Sequence, residues 1–265
     1  MLAPSSPLVA CVGDSITRGD AAHEPGNGTH WPFKTVRRMR NRGNWPLLLS
    51  ASLAPRFTVR NFGHGGRTAV NMSDGYVRTP EYAAALETHP RVVVLMLGTN
   101  DCKARVWKPP RSADPLDTPF AGALEKIGQS FLRLPSRPSL VLLVPPPVVR
   151  LPHAHDVTSG LFRADVLAAG VADSIKAVAR RLGAAVPAAR TPCTPGAVTL
   201  ADLHSRWQTR YHCTTTPTPS SLCASLFAED GIHTTARGAE AIAEAVREVL
   251  QQCAAEELIP APPWS

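Results

Sequence analysis

Residues 91–101 read Arg-Val-Val-Val-Leu-Met-Leu-Gly-Thr-Asn-Asp. The run Arg91–Leu97 is bounded, continuous and Val-rich, as a strand covered on both faces should be; a half-exposed strand would alternate with polar residues. It stops at Gly98, and the chain turns polar at once. In open α/β sheets, ligands bind just outside such carboxyl ends of strands. The rest of the chain repeats the pattern. Leu8–Val12 is a short apolar run that ends in Gly13-Asp14-Ser15-Ile16, and Phe57–Phe62 is β-like and ends in Gly63-His64-Gly65-Gly66. Leu140–Val144 is another buried strand, stopped by Pro145-Pro146-Pro147, and Ala184–Ala189 is a candidate for a last short one.

Helical patterns separate these runs. They cover Trp45–Leu53, with Pro46 in the first turn, then Tyr82–Leu86, Phe120–Leu134, Arg163–Leu182 with Gly183 as its stop, and Thr235–Cys253. Strands that alternate with helices predict βαβ units and a mainly parallel sheet, an α/β fold. No repeat or linker-like break divides the chain, so residues 1–265 read as one domain. Two long excursions decorate it, at about 20–44 and 191–229. The second contains the turn-rich stretch TTTPTPSS, with little core to bury.

Composition narrows the function classes. A chain of 265 residues with 44% hydrophobic content buries a substantial core and is not disordered. Its 26 prolines point to long structured or extended loops. The net charge of +7 raises the question of an acidic partner. The densest basic run is Lys34, Arg37, Arg38, Arg40 and Arg42. It lacks the interleaved aromatics that stack bases, and no nucleic-acid motif is present, so nucleic acid is not an expected partner. The run reads as a solvated basic loop, with an anion-binding patch as the alternative. None of the six cysteines stands in a C-x-x-C pair, so no metal is expected. Cys11 reads as a core thiol. Cys193, Cys213 and Cys223 share one polar stretch that admits a local disulfide without fixing its pairing. No apolar run approaches the ~20 residues of a membrane span. Met1–Pro7 has neither a charged n-region nor an apolar h-region, so the expectation is a soluble, cytoplasmic chain.

Four segments carry the residue types that acyl transfer requires. That chemistry needs a hydroxyl nucleophile, a base, a group that orients the base, and donors for the oxyanion of the tetrahedral intermediate. Ser15 offers the hydroxyl at a strand-to-loop junction. His233 offers a base that titrates near neutrality, and Asp230 lies three residues before it. Asn100 offers an amide donor, Gly66 lets a backbone N–H approach a ligand closely, and the Ser15 N–H completes the hole. Singly these are weak signals, because Gly-Asp-Ser and Gly-Thr-Asn-Asp are also ordinary turns. Jointly they fall in the order the mechanism needs.

The sequence resembles the SGNH (GDSL-type) hydrolase family. Gly13-Asp14-Ser15-Ile16 looks like its nucleophile segment, and Asn61–Thr68 (NFGHGGRT) like its second segment. There Gly63, Gly65 and Gly66 compete in register and Gly66 matches the oxyanion glycine best. Gly98-Thr99-Asn100-Asp101 is similar to the third segment, and Asp230-Gly231-Ile232-His233 to the D-x-x-H segment. The resemblance implies a three-layer α/β/α, flavodoxin-like fold with a mainly parallel five-stranded sheet. It also implies Ser15, Asp230 and His233 as catalytic residues, Ser15, Gly66 and Asn100 as the oxyanion hole, no cofactor or metal, and a nucleophile near the N-terminus rather than on a sharp elbow. The function expected is hydrolysis of carboxylic esters, foremost short acyl (acetyl) groups, on a small molecule or a carbohydrate. The alternatives are a lysophospholipase or thioesterase, a catalytically silent glycan-binding protein and, more remotely, a flavin binder.

Other residues admit two readings. His64 is either a loop histidine bonded to backbone or a pocket residue, and Arg67 either meets an anionic substrate group or forms a surface ion pair. Asp101 is expected to satisfy backbone N–H groups rather than do chemistry. Trp31 and Trp45 are expected to pack as core or loop anchors, with a sugar-stacking wall as the alternative. Cys102 has only Lys103 as a basic neighbour, so a reactive thiolate is not expected.

Overall fold

The computed structural model describes residues 6–21, 43–183, 194–214 and 219–256. In chain order it runs through β1 (Leu8–Gly13), α1 (Ser15–Arg18), α2 (Trp45–Leu53), β2 (Thr58–Gly63), α3 (Pro80–Glu87), β3 (Val92–Met96), α4 (Pro119–Leu132), β4 (Ser139–Val144) and α5 (His155–Thr158). It continues through α6 (Ala172–Gly183), β5 (Val198–Asp202), α7 (Leu203–Tyr211), α8 (Ser221–Ala224) and α9 (Ala236–Glu256). A 3₁₀ turn at Tyr76–Arg78 and a π-helical segment at Val166–Val171 complete it.

The five strands form one parallel sheet in the order β2-β1-β3-β4-β5, as the α/β reading expects. Side chains alternate across a strand, so each central strand feeds two cores. Ala10, Val12, Val93, Leu95, Leu140 and Leu142 pack on one face with Phe120 and Leu124 of α4 and Ile175 and Val178 of α6. Val9, Cys11, Val92, Val94, Val141 and Leu143 pack on the other with Trp45 and Leu49 of α2, Trp207 of α7 and Ile242 and Val246 of α9. The central strands are therefore buried on both sides, which is why Arg91–Leu97 has no polar alternation. Trp45 is fully buried in the second core, and Trp31 lies outside the described residues.

Helix starts follow from local chemistry. Asn44, Thr79 and Thr118 each accept a backbone N–H at the head of α2, α3 and α4, and each of these helices has proline in its first turn.

Two sequence expectations need correction. Arg163–Leu182 is not one regular helix: its first part is the π-helical Val166–Val171, with α6 following. The stretch 191–229 is more than a decoration, because it supplies β5, α7 and α8. β5 is an edge strand with only partly buried or exposed residues, so it lacks the continuous apolar run that marks a central strand. The strand expected at Ala184–Ala189, the basic segment 34–42 and Cys193 lie outside the described residues.

Cys213 and Cys223 are joined by a disulfide, and both are fully buried. It ties the end of α7 to α8, ahead of the turn that carries His233. Closing a loop of 10 residues contributes about 2–3 kcal/mol through the unfolded chain. The double variant Cys213→Ser/Cys223→Ser should lose about that much in urea denaturation, and dithiothreitol should give the wild type the same loss; an unchanged midpoint in both would show that the bond does not carry the local fold.

Candidate active site

Three strand ends converge. β1 pairs in register with β2 and β3, so Gly13 lies beside both Gly63 and Met96. Ser15 follows two residues after the end of β1 and is 7% exposed. It opens the four-residue α1, whose cap is Asp14: one carboxylate oxygen accepts the Ile16 N–H at 3.0 Å. The Ser15 carbonyl accepts from Gly19 and Asp20, which holds the turn closed behind the hydroxyl.

His233 lies between α8 and α9. Its Nε2 is 2.9 Å from Ser15 Oγ, and its Nδ1 is 2.6 Å from Asp230 Oδ2. An ionised carboxylate only accepts, so Nδ1 carries the proton and Nε2 accepts from the serine hydroxyl. Asp230 is fixed in turn, because its Oδ1 accepts the N–H groups of Ile232 and His233, both at 2.9 Å. The turn needs Gly231, which has φ +68°; a Cβ there would sit 2.0 Å from the Val149 carbonyl oxygen. The same contact docks the loop, since Val149 N–H donates to the Gly231 carbonyl at 2.8 Å.

The donors stand opposite. Neither Ser15 N–H nor Gly66 N–H has an acceptor among the described residues. Gly66 has φ +77° and open space where a Cβ would be, whereas a Cβ on Gly63 would strike the Arg18 backbone and one on Gly65 the Arg18 guanidinium. Of the three competing glycines, only Gly66 therefore faces open space. Asn100 is 4% exposed, and its Nδ2 donates to the Arg67 carbonyl at 3.1 Å and reaches Asp14 Oδ2 at 3.4 Å.

Asp101 is fully buried and clamps the second segment: its two carboxylate oxygens accept from Ala69 N–H and Val70 N–H, each at 3.0 Å. Burial pushes its carboxyl up to about 7, against the pull of those two donors. Asp101, which follows Asn100, thus holds the backbone shortly after Gly66, as its reading as a backbone-satisfying group expects. Burial likewise raises Asp14 to about 6, with the Ile16 N–H and His233 opposing. Burial alone would lower His233. The hydrogen bond and charge of Asp230 outweigh it, with help from Asp20 and Asp14, so its pKa lies above the ordinary value of 6.5. Asp230 is lowered despite its own burial, because His233 and two backbone N–H groups favour its ionised form.

The remaining candidates fall around this centre. His64 sits between Glu81, 2.7 Å from Nδ1, and Arg67, whose Nη2 is 3.1 Å from Nε2. Because a guanidinium only donates, His64 Nε2 accepts and Nδ1 donates to Glu81. The two residues for which a substrate contact was one of two readings are thus engaged with each other. Cys102 is buried and pushed up to about 12 by that burial, as an inert thiol should be. Sequence reading missed Asp20, whose charge reaches His233 and whose carboxylate pairs with Arg18. Nothing local marks it, because its importance comes from the fold of the turn after Ser15. Among the described residues no group of three or more His, Cys, Asp or Glu side chains is placed to hold a metal, and no helix is long and apolar enough to cross a membrane.

Asp101→Asn presents an NH₂ to one of the two backbone donors and leaves that N–H without an acceptor. A buried donor so orphaned costs about 1–3 kcal/mol. The expected outcome is a matching loss in chemical denaturation together with a fall in kcat; unaltered stability would remove the clamp.

Known proteins share part of this sequence and its fold. An acetylxylan esterase of Xylanibacter ruminicola is 35% identical over 101 residues, which is 38% of this chain and 18% of that much longer protein. The native aryl esterase of M. smegmatis superposes with a TM-score of 0.58 at 23% identity, covering 92% of this chain and 100% of its own. A carbohydrate acetylesterase family member from Sinorhizobium meliloti gives 0.57 at 21%, covering 92% and 97%; at these identities the likeness shows the fold. The model of the GDSL-like lipase/acylhydrolase family matches residues 9–246, from the strand before the nucleophile segment to the last helix. On that match the chain belongs to the GDSL-like lipases and acylhydrolases.

Proposed function

We propose that the protein is a serine ester hydrolase, acting as one catalytic unit over residues 1–265, with Ser15 as nucleophile and short acyl groups, foremost acetyl, as its substrates. The observation that carries the reading is the unbroken line from Ser15 Oγ through His233 to Asp230, at 2.9 and 2.6 Å. The acetyl preference draws on the acetylxylan esterase relative and the carbohydrate acetylesterase neighbour. A carbohydrate ester fits the same relatives, and a small-molecule ester is the simplest substrate of the site.

The steps follow from the geometry. Ser15 Oγ attacks the ester carbonyl as His233 Nε2 takes its proton. The carbonyl oxygen becomes an oxyanion that the N–H groups of Ser15 and Gly66 and the Asn100 amide receive. The 3.4 Å contact of Asn100 with Asp14 is long and weak, so that hydrogen is free to turn to the oxyanion. His233 then protonates the leaving alcohol. Water, deprotonated by His233, attacks the acyl-enzyme and releases the acid and the serine. Asp230 holds the tautomer and stabilises the imidazolium throughout. The Cys213–Cys223 bond favours an oxidising compartment, in place of the cytoplasm expected from the N-terminal residues.

Rates on p-nitrophenyl acetate, butyrate and octanoate test the assignment. Turnover should fall along the series and vanish in Ser15→Ala; persistence in that variant would point to another nucleophile. Asn100→Ala should lower kcat by about 10²–10³.

The base must be neutral to act, and its pKa is raised. The acid limb of kcat/KM should therefore have its midpoint above 6.5, with activity lost as pH falls through it. Asp230→Asn removes the main raising charge and should move that limb to lower pH while depressing kcat; a limb that stays in place would separate it from His233.

A further inference from the structure

A cavity of about 400 Å³ opens between the segments that follow β4, lined by Arg150, Val157, Gly160, Phe162, Arg163 and Asp165 among others. Its floor is apolar, with Val157 and Phe162 at 2% and 7% exposure. Its rim is cationic. Arg150 is exposed and makes no ion pair among the described residues. Arg163 shares its charge with Asp165 at 2.7 Å. Lys103 holds its ammonium 4.7 Å from the centroid of the Phe162 ring, with no carboxylate partner among the described residues. Two arginines thus line the cavity against one carboxylate, and Lys103 stands over the ring of one lining residue, Phe162.

Its position joins it to the candidate site from two sides. Lys103 is bridged to Phe162, and Arg163 N–H donates to the Cys102 carbonyl, so one wall continues from the Asn100 turn. Arg150 follows Val149, whose N–H holds Gly231 two residues before His233, so another wall continues from the turn of the base. The Lys103 charge also reaches Asp14, the neighbour of Ser15.

We infer that this cavity is a subsite for a carboxylate borne on the alcohol side of the ester, held at the Arg150 rim with Lys103 nearby, so that the enzyme selects negatively charged esters. The inference rests on the ester-hydrolase reading. It places the charge on the alcohol because an acetyl group has no atom to carry one. The apolar floor accepts the ring or chain that links the carboxylate to the ester oxygen, and the guanidinium matches a carboxylate in two-point geometry.

Two acetyl esters with nearly the same leaving group test it: 4-acetoxybenzoate and its methyl ester. The ratio of their kcat/KM values should favour the carboxylate ester by about tenfold, the size of one charge-assisted contact at a water-exposed rim. The preference should reside in KM and shrink with added salt. Arg150→Ala should bring the ratio towards one, and Arg150→Glu should invert it; as each variant is its own reference across the two esters, a general loss of activity does not mimic the effect. Equal, Ser15-dependent turnover of both esters by the wild type would overturn the subsite and leave the hydrolase standing. A preference that survives Arg150→Glu would overturn this cavity as its source. Absence of Ser15-dependent turnover on either ester would overturn the hydrolase reading and the subsite with it.

Discussion

The pairing of β1 with both β2 and β3 is the constraint on which the site depends. A parallel sheet directs all carboxyl ends the same way, and here three of them end level, with Gly13 beside Gly63 and Met96. Within four residues of those ends stand Ser15, Gly66 and Asn100. The chain leaves β1 towards one edge to form β2 and crosses back to form β3, so these segments flank the point where strand order reverses, the usual ligand crevice of such sheets. The hydroxyl and its opposing donors are thus brought together by backbone hydrogen bonds deep in the sheet, far stiffer than any loop could be alone.

His233, the proposed base, has no strand to hold it, and the structure compensates with several local fastenings. Gly231 locks onto Val149 beyond β4, and the Ala228 N–H donates to the His233 carbonyl at 2.8 Å. Phe227 packs edge-on against Trp207 of α7, with ring centroids 5.3 Å apart. The disulfide ties α7 to α8 just upstream. Asp230 makes three contacts with two residues, which fixes the imidazole in both position and tautomer. The oxyanion side is fastened in the same manner, by Asn100 on Arg67 and Asp101 on Ala69 and Val70. Each moving part of the proposed chemistry is anchored by a neighbour that does none.

Much of this was legible in the residues. β1, β3 and β4 announce themselves by continuous apolar runs because both faces are covered. Three of the four polar segments are legible because each interrupts such order where a strand ends, and the fourth stands just before the last helix; that Asp101 satisfies backbone N–H groups was expected, but its partners, Ala69 and Val70, lie on another segment. β5 was not legible: Val198–Asp202 is an edge strand whose pattern alternates too weakly to stand out from a polar loop. The π-helical start at Val166–Val171 was hidden for a different reason, since its spacing of apolar residues also suits an α-helix. The engagement of His64 with Arg67 and Glu81 depends on α3 lying beside the second segment, a tertiary fact that no local pattern carries. The basic cavity escaped as well, because Lys103, Arg150 and Arg163 are scattered in sequence and only β3, β4 and their loops bring them together.

The electrostatics of the centre oppose those of the whole chain. The protein carries +7 overall, yet the charges that act on His233, the proposed base, are those of Asp230, Asp20 and Asp14. These carboxylates favour the imidazolium, the charged form that the proposed reaction creates while the serine proton is in transit. They do nothing for an oxyanion, which is why the proposed hole consists of neutral N–H and amide donors aimed from the opposite side. The same arrangement acts on the product. A released carboxylate is repelled by the acidic side of the centre. A site built this way stabilises a charge pair that forms and vanishes within the reaction, and it binds neither the resting ester carbonyl nor the free acid through full charge. Selectivity for a charged ester must then come from outside the reacting atoms, at a rim such as that of Arg150.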